Sequence, residues 1–561
     1  MAGMTGVETL ENAKNRFPFW AGATLLSAIA LIAQLPLYDR GLVAMDEGHL
    51  LAAADALASG KRLYADIHTG IFPGIYLAAQ ALLAAFGADA VVLRWAAVVM
   101  NVFICLALWS VARRMVAAHW SWLPPLLYLA LISVGFPVLS MFNYSTLSVC
   151  FGLGALSFML RYLESGRSLD GVLMGTAIAT AALTKQNFGG LIFLALLGGL
   201  LAGRRDSALA PLGTWRSFLP IVAGGLTLTL LVGVYLASEG TFPAFADSTI
   251  FSLAGSQLKD FNNPIPPIFG PHPEGDGRFA FLYTPPTLFH ALVHGTPYAG
   301  MEITPGLRSL AIRASYGLPL AALIAAPMVA FFTRRWSTGP AQTAARSSLL
   351  FAVIFAPGIF PSAIWSHLAF VMIPILLLFA FLGDRAEEAL GRFFGRGAVM
   401  AGRVLAGALT AAAVLVAFRT ALSVMDFHPE PLGLERATLQ VSSRDRGLLR
   451  GAVGFIETCS HPGEPILVLP DIPVLYFLAD RPNPSPFDLA IPGNVDGERI
   501  AREAEAAGVR CAVFNPRMYP EFPPFEELFP GLAQHLETRF RVDREIRGGQ
   551  ALWLGLVRRA P

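Results

Sequence analysis

Charge is what this chain has least of. Asp, Glu, Lys and Arg make up 14% of its 561 residues, against roughly 25% in an ordinary soluble domain, while 55% of the residues are hydrophobic. That balance excludes a soluble globular protein and predicts a polytopic membrane protein. Neither sign of charge dominates. The formal net charge is +2, which excludes a dedicated nucleic-acid binder, since that needs a basic face to neutralise phosphates. Cysteine is scarce as well, with four in the chain. Cys105 and Cys150 lie inside apolar runs, whereas Cys459 and Cys511 would share one compartment. A disulfide between these two and a pair of free thiols in a small core are both open. No Walker-type loop, dinucleotide fingerprint or G-x-S-x-G elbow stands in a strand-turn-helix context, so nucleotide-driven chemistry has no site. His272, His290 and His294 lack the close spacing of zinc ligands, and no structural zinc is expected. Solenoid-scale repeats and low-complexity tracts are absent too.

What is present is a series of apolar runs. Windows of about 19 residues predict spans near 18–37, 91–112, 121–140, 144–161, 170–184, 188–203, 217–237, 308–332, 347–365, 368–383 and 398–418. The first follows Glu8, Glu11, Lys14 and Arg16 without a convincing cleavage site, which predicts a retained span rather than a signal peptide. Basic residues alternate with these runs: Lys14/Arg16, Arg113/Arg114, Arg161/Arg167, Arg204/Arg205/Arg216, Arg334/Arg335/Arg346 and Arg385/Arg392/Arg396/Arg403 all fall on one side. By the positive-inside rule that side is cytoplasmic. The expected fold is therefore a bundle of about eleven transmembrane helices with the N-terminus inside. Counting Ile71–Phe86 as a further span would put the Arg pairs outside. Its Pro73-Gly74 start suits an interfacial or re-entrant helix, with His49–Ala58 as a second short surface helix.

The composition changes after Phe418, where charges and prolines return. The expected division is a membrane domain over 1–418, with outer loops at 38–90 and 238–305, and a soluble extracytoplasmic α/β domain over 419–561. In the latter, Ile466–Leu469 and Cys511–Phe514 read as buried strands and Gly497–Ala507 as a helix ending at Gly508. Arg539–Ile546 and Ala551–Val557 read as a hairpin around Gly548-Gly549. The Pro-rich stretch from Asn263 to Pro273 reads as a structured outer loop.

Against this background the acidic pair Asp46-Glu47, just past the first apolar run, stands out. A carboxylate at the membrane surface, partly desolvated, can act as a general base when its pKa rises toward neutrality. An exposed acidic turn that only solubilises a loop is the competing explanation. Lys185, between two apolar runs, is a costly charge that is functional or else snorkels to the interface. Arg94 opens a span on the side where basic residues are rare and is expected to pair with Asp46, Glu47 or Asp66, chiefly as structure. Asn143 and Tyr144 either line a cavity or anchor the interface, and His367 marks a late outer turn.

A longer pattern joins these residues: Asp46-Glu47, then Lys61-Arg62-Leu63-Tyr64-Ala65-Asp66, Pro73-Gly74-Ile75-Tyr76, Phe86-Gly87, Leu93-Arg94-Trp95 and Thr184-Lys185-Gln186-Asn187. It resembles the GT-C membrane glycosyltransferases, in particular the family 39 group of aminoarabinose transferases and protein O-mannosyltransferases. The resemblance is clearest over about the first 200 residues. It implies that Asp46 is the catalytic base and Glu47 its structural partner or a substrate ligand, the two able to exchange roles. It also implies that Lys185 meets the donor phosphate, aided by His68 and His367. Tyr64, Asp66, Arg94, Asn143, Tyr144, Gln186 and Asn187 are the expected substrate-binding residues. His68 stands where many relatives carry a Lys, so the grip on the donor differs there. No protein metal site is expected, although two carboxylates near a phosphate leave a role for Mg²⁺ or Mn²⁺ open.

The expected activity is an inverting transfer from a polyprenyl-phosphate-linked sugar to a glycan, lipid or protein acceptor. It takes place at the outer face of the bacterial cytoplasmic membrane, where nucleotide sugars are not at hand. A lipid or polysaccharide transporter is the alternative from another class. Transporters keep ionisable residues near the membrane midplane among repeats, whereas these lie at span ends. A ligand sensor would leave the acidic surface loop unexplained.

Overall fold

The computed structural model describes residues 18–203, 215–251, 262–294, 302–333, 339–492 and 495–560. Lys14/Arg16, Arg204/Arg205 and Arg334/Arg335 lie outside the described residues. Among those described, thirteen helices carry the apolar part of the chain: α1 Phe19–Gln34, α2 Asp46–Ala58, α3 Gly74–Phe86, α4 Ala90–Met115, α5 Leu123–Val134, α6 Tyr144–Ser165, α7 Ser168–Thr184, α8 Gln186–Gly203, α9 Leu219–Ser238, α10 Pro305–Thr333, α11 Pro340–Phe355, α12 Trp365–Phe394 and α13 Arg396–Phe427. Seven of the described helices (α4, α6, α8, α9 with its preceding turn, α10, α12 and α13) are long and apolar enough to cross a bilayer; α1, α3, α5 and α7 are apolar but shorter. The chain is an integral membrane protein. Each apolar window of the sequence has a helix over it, and 71–86 forms α3.

Local chemistry sets the ends of the helices that matter for the site. The Asp89 side chain accepts from the Val91 N–H to start α4, and Asn143 accepts from the Thr146 N–H to start α6, each satisfying a donor that a helix leaves unpaired at its first turn. α6 stops where Gly166 turns left-handed at φ 66°. Between α7 and α8, Lys185 takes an extended conformation. This tight reversal brings Gly189 so close to α7 that a Cβ there would stand 2.1 Å from Ala182 Cα.

The last apolar helix does not end where the composition changes at Phe418 but continues to Phe427. Beyond it, β1 Glu430–Pro431 pairs with β2 Gln440–Val441. α14 Ser443–Cys459, α15 Val474–Leu478 and α16 Gly497–Ala506 accompany a sheet ordered β3-β4-β6-β5, built from Leu467–Leu469, Cys511–Phe514, Ala551–Arg558 and Phe540–Gly548. β3 and β4 are parallel; β6 runs antiparallel to both β4 and β5. Alternate side chains of these strands serve two cores. Val468, Cys511 and Val513 join the main apolar cluster, and Leu467, Leu469 and Ala512 join a second one with Ile500, Ala504 and Leu536. Cys459 at the end of α14 and Cys511 at the start of β4 are joined by a disulfide, with their Cα atoms 5.6 Å apart.

The C-terminal segment does not hang from the bundle on a linker. Val474, Leu475 and Phe477 belong to the same buried cluster as Leu50, Leu51 and Ala54 of α2. Gly48 permits this contact, since a Cβ at that position would stand 2.6 Å from Val474 N. At the far end of α2, Arg436 bridges Asp55 and Asp480. α2 is thus clasped along its length by residues that follow it in sequence by hundreds of positions.

Candidate active site

Asp46 is the first residue of α2, and it lines a small cavity of about 60 Å³ bounded by α2, α3, the start of α6 and the start of α12. Among the residues around it are His49, Tyr76, Asn143, Tyr144, Ser145 and His367. The Asp46 side chain is exposed to this cavity but has protein on every side. Desolvation therefore pushes its pKa above the ordinary carboxylate value, while the charges of His49 and Lys185 pull it back down. A carboxylate whose pKa is raised in this way holds a proton more readily than an ordinary one.

Lys185, at the α7–α8 reversal, stands behind Ser145 of the cavity wall. Its Nζ donates to Ser145 Oγ at 2.7 Å and lies 3.9 Å from the Phe188 ring centroid and 5.1 Å from that of Tyr144. Aromatic faces hold the ammonium where water is scarce, and Asp46 is the charge it feels. The carboxylate in the cavity thus has an amine behind Ser145, close enough for each to affect the other's protonation.

Glu47 is placed differently from its neighbour. Its two carboxylate oxygens receive Arg94 Nε at 2.5 Å and Nη2 at 2.6 Å, and both side chains are shielded, at 1% and 0% exposure. Arg94 also donates to the carbonyls of Arg40 and Gly41, and Glu47 accepts from the Val43 N–H. With its bonds spent in this way, the pair fastens the 40–47 loop. Of the three partners expected for Arg94, Glu47 is the one it takes, and both side chains serve the structural reading of their roles.

Several other expected site residues lie elsewhere. Asp66 accepts from the Arg62 backbone and guanidinium and closes a surface turn. Tyr64 is buried, donating to the Ile71 carbonyl at 2.8 Å. His68 packs against Phe487 with ring centroids 4.7 Å apart; burial lowers its pKa to about 4, so at neutral pH it carries no charge for a phosphate. Gln186 ties its side chain to the Gly70 carbonyl, and Asn187 accepts from its neighbour Phe188. Asn143 lines the cavity, but its amide is used as the α6 cap and in bonds to Val138 and Met141.

His367 does face the cavity. Its Nδ1 donates to the Ser362 carbonyl at 2.6 Å, so in the neutral ring Nε2 is an acceptor, suited to a sugar hydroxyl rather than a phosphate oxygen. Of the three histidines in the 238–305 region, His272 bonds Pro267 and Ser309 and His290 packs against Phe427. Among the described residues no three His, Cys, Asp or Glu side chains are grouped to hold a metal.

Two residues near the cavity carry no mark in the sequence. His49, one turn after Asp46, lines it, a neighbour that helical spacing could have revealed. Glu521 comes from the C-terminal segment and accepts from Asn263 at 3.1 Å and Ser362 at 3.3 Å. Burial raises its pKa, and the Asp46 charge adds to the rise.

Comparison with known proteins agrees with this architecture. The family model described as dolichyl-phosphate-mannose-protein mannosyltransferase matches residues 71–234, a stretch that includes Lys185 but begins after Asp46. No curated protein sequence matches. Among solved structures, ArnT from Cupriavidus metallidurans in the apo state is similar with 16% identity and a TM-score of 0.54, covering 95% of this chain and 98% of that one. The same protein bound to undecaprenyl phosphate gives 17% identity and a TM-score of 0.46 over the same shares. The Archaeoglobus fulgidus oligosaccharyltransferase tethered to an acceptor peptide gives 11% and 0.47, covering 97% of this chain and 74% of that one. The chain has the fold of ArnT, and the resemblance to GT-C glycosyltransferases seen in its short motifs is met by both the family model and the fold.

Proposed function

We propose that the chain is a membrane glycosyltransferase that moves a sugar from a polyprenyl-phosphate-linked donor to an acceptor, with inversion at the anomeric carbon. Asp46 takes the proton of the acceptor hydroxyl or amine as that atom attacks the anomeric carbon. The bond from the sugar to the lipid phosphate breaks, and the phosphate leaves with the electron pair. Lys185 meets the charge that develops on it, the kind of fixed electrostatic help that is worth most in a water-poor site. His367 Nε2 and the Tyr144 hydroxyl remain to orient sugar hydroxyls.

The observation that carries this reading is the Asp46 carboxylate in the cavity with Lys185 Nζ bonded to Ser145 of its wall, near enough for the two groups to act on each other. The polyprenyl donor is supported by the family description over 71–234, which names a dolichyl-phosphate sugar. The acceptor is a glycan, lipid or protein group. We place the cavity on the outer side of the bacterial cytoplasmic membrane, with about eleven spans and the 419–561 segment outside.

The test is transfer by the purified protein in lipid nanodiscs, offered polyprenyl-phosphate sugars, with the lipids that co-purify identified by mass spectrometry. Asp46→Asn is expected to abolish transfer and leave folding intact, since it removes only a poorly solvated charge. Full activity in that variant, or movement of intact donor across the bilayer with no sugar transferred, overturns the assignment.

A further inference from the structure

His49 is held by two partners that lie far from it in sequence. Its Nδ1 stands 2.9 and 2.8 Å from the two carboxylate oxygens of Asp488. Its Nε2 is 3.0 Å from the Tyr76 hydroxyl, which is 2.6 Å from Thr69 Oγ1. Both ring nitrogens are therefore engaged, and the ring has one orientation. The side chains of His49 and Asp488 are 15% and 10% exposed, so water competes little for either.

The arrangement is built rather than incidental. Asp488 rides on a loop fixed from both sides: the His68 N–H donates to the Pro486 carbonyl, Asn483 donates to the Phe487 carbonyl, and the Ala490 N–H donates to the Pro470 carbonyl. Gly48, between Asp46 and His49, is the point where α15 comes against α2. Three residues on one helix, i and i+3 around a glycine, thus share the cavity, the ion pair and the docking contact.

Resting on the proposed transferase reading, we propose that His49 and Asp488 form a positioning dyad for Asp46. The carboxylate is supplied by the C-terminal segment, and the active site is complete only with that segment docked. Burial works against a charge on His49, but Asp488 outweighs it and raises the histidine's pKa. The resulting imidazolium beside Asp46 favours the ionised carboxylate. The charged or titratable groups facing Asp46 are His49 and Lys185, with Tyr76, Tyr144, Tyr519 and Glu521 sensing its charge. Those facing His49 are Asp488, Asp46 and His68.

The experiment is an infrared difference titration of the full chain in nanodiscs, with the Asp46 carboxyl band identified by its loss in Asp46→Asn. Asp488→Asn keeps an oxygen to accept from Nδ1 but removes the charge. In that variant the Asp46 midpoint is expected to move up by about one pH unit, and kcat/KM on the acid limb to fall about tenfold with the donor KM unchanged. His49→Gln is expected to give the same shift, and the double variant no more than either alone. His49→Lys in the Asp488→Asn background, a cation that needs no partner, is expected to restore the low midpoint. An unmoved midpoint, or shifts that add in the double variant, overturns the dyad, and the His49→Gln titration decides the matter where Asp488→Asn does not fold. Because the titration needs no substrate, it is decided separately from the transferase reading, which stands or falls on sugar transfer and Asp46→Asn.

Discussion

Glu47 and Arg94 meet in a bidentate ion pair at 2.5 and 2.6 Å with both side chains almost fully shielded from solvent, while Asp46, the adjacent residue, opens into a cavity. One step along the chain at a helix start separates a carboxylate spent on an ion pair from one that faces a cavity. The reason is direction: at the first turn of α2 successive side chains point about 100° apart, one toward Arg94 of α4 and one into the cavity.

Breaking such a pair leaves an uncompensated charge in a dry place. Glu47→Gln and Arg94→Gln are each expected to cost roughly 3–5 kcal/mol of stability, measured by unfolding in detergent. The pH profile of whatever transfer remains is expected not to move. A profile displaced by Glu47→Gln with normal stability would return Glu47 to the chemistry.

Transfer should depend on pH through Asp46. Its pKa is raised above the ordinary carboxylate value by desolvation, and the base works only when ionised. Activity is therefore lost as pH falls through the raised value, about tenfold per unit below it. The acid limb of kcat/KM against pH is expected above about 4, the value of a free aspartate. A limb at or below that value contradicts the assignment.

Lys185→Gln keeps a donor for Ser145 but has no charge for a leaving phosphate. By analogy with other lost electrostatic donors, kcat is expected to fall about 10²–10³-fold, while Ser145→Ala costs only a few-fold. Equal effects of the two would make Lys185 a packing residue.

Gly48→Ala pushes a methyl group into Val474, where a Cβ would stand 2.6 Å from N and 2.7 Å from Cβ. Overpacking of that kind costs about 1–3 kcal/mol, and because the displaced element is α15, cross-linking between α2 and the C-terminal segment should drop along with stability. Unchanged cross-linking in a destabilised Gly48→Ala protein would show that the two elements part elsewhere.

Chelation is the remaining check on the chemistry. With Lys185 already supplying positive charge, transfer is expected to survive EDTA; loss that Mg²⁺ or Mn²⁺ restores would show that a divalent ion shares the phosphate.

Much of this molecule is written locally in its sequence. The apolar runs fix the helices because a bilayer span needs an apolar stretch long enough to cross it, and each predicted run has its helix. β4 at Cys511–Phe514 and the hairpin closed at Gly548-Gly549 are equally local, set by β-rich runs bounded by turn residues. The placement of Asp46 and Lys185 stands out in sequence for a related reason: charge beside lipid is expensive, so its position is informative.

What only the tertiary structure decided is which polar groups spend their bonds on one another. Tyr64, Asp66, Gln186 and Asn143 look like ligands in sequence, yet their atoms are taken by nearby backbone. His49 is held by Asp488, which arrives from 439 positions away, a contact that no local pattern announces. Spacing along a chain can set one face of a helix, but it cannot say what docks on that face. That depends on a long-range apolar contact, α15 against Gly48, which has no periodicity to betray it.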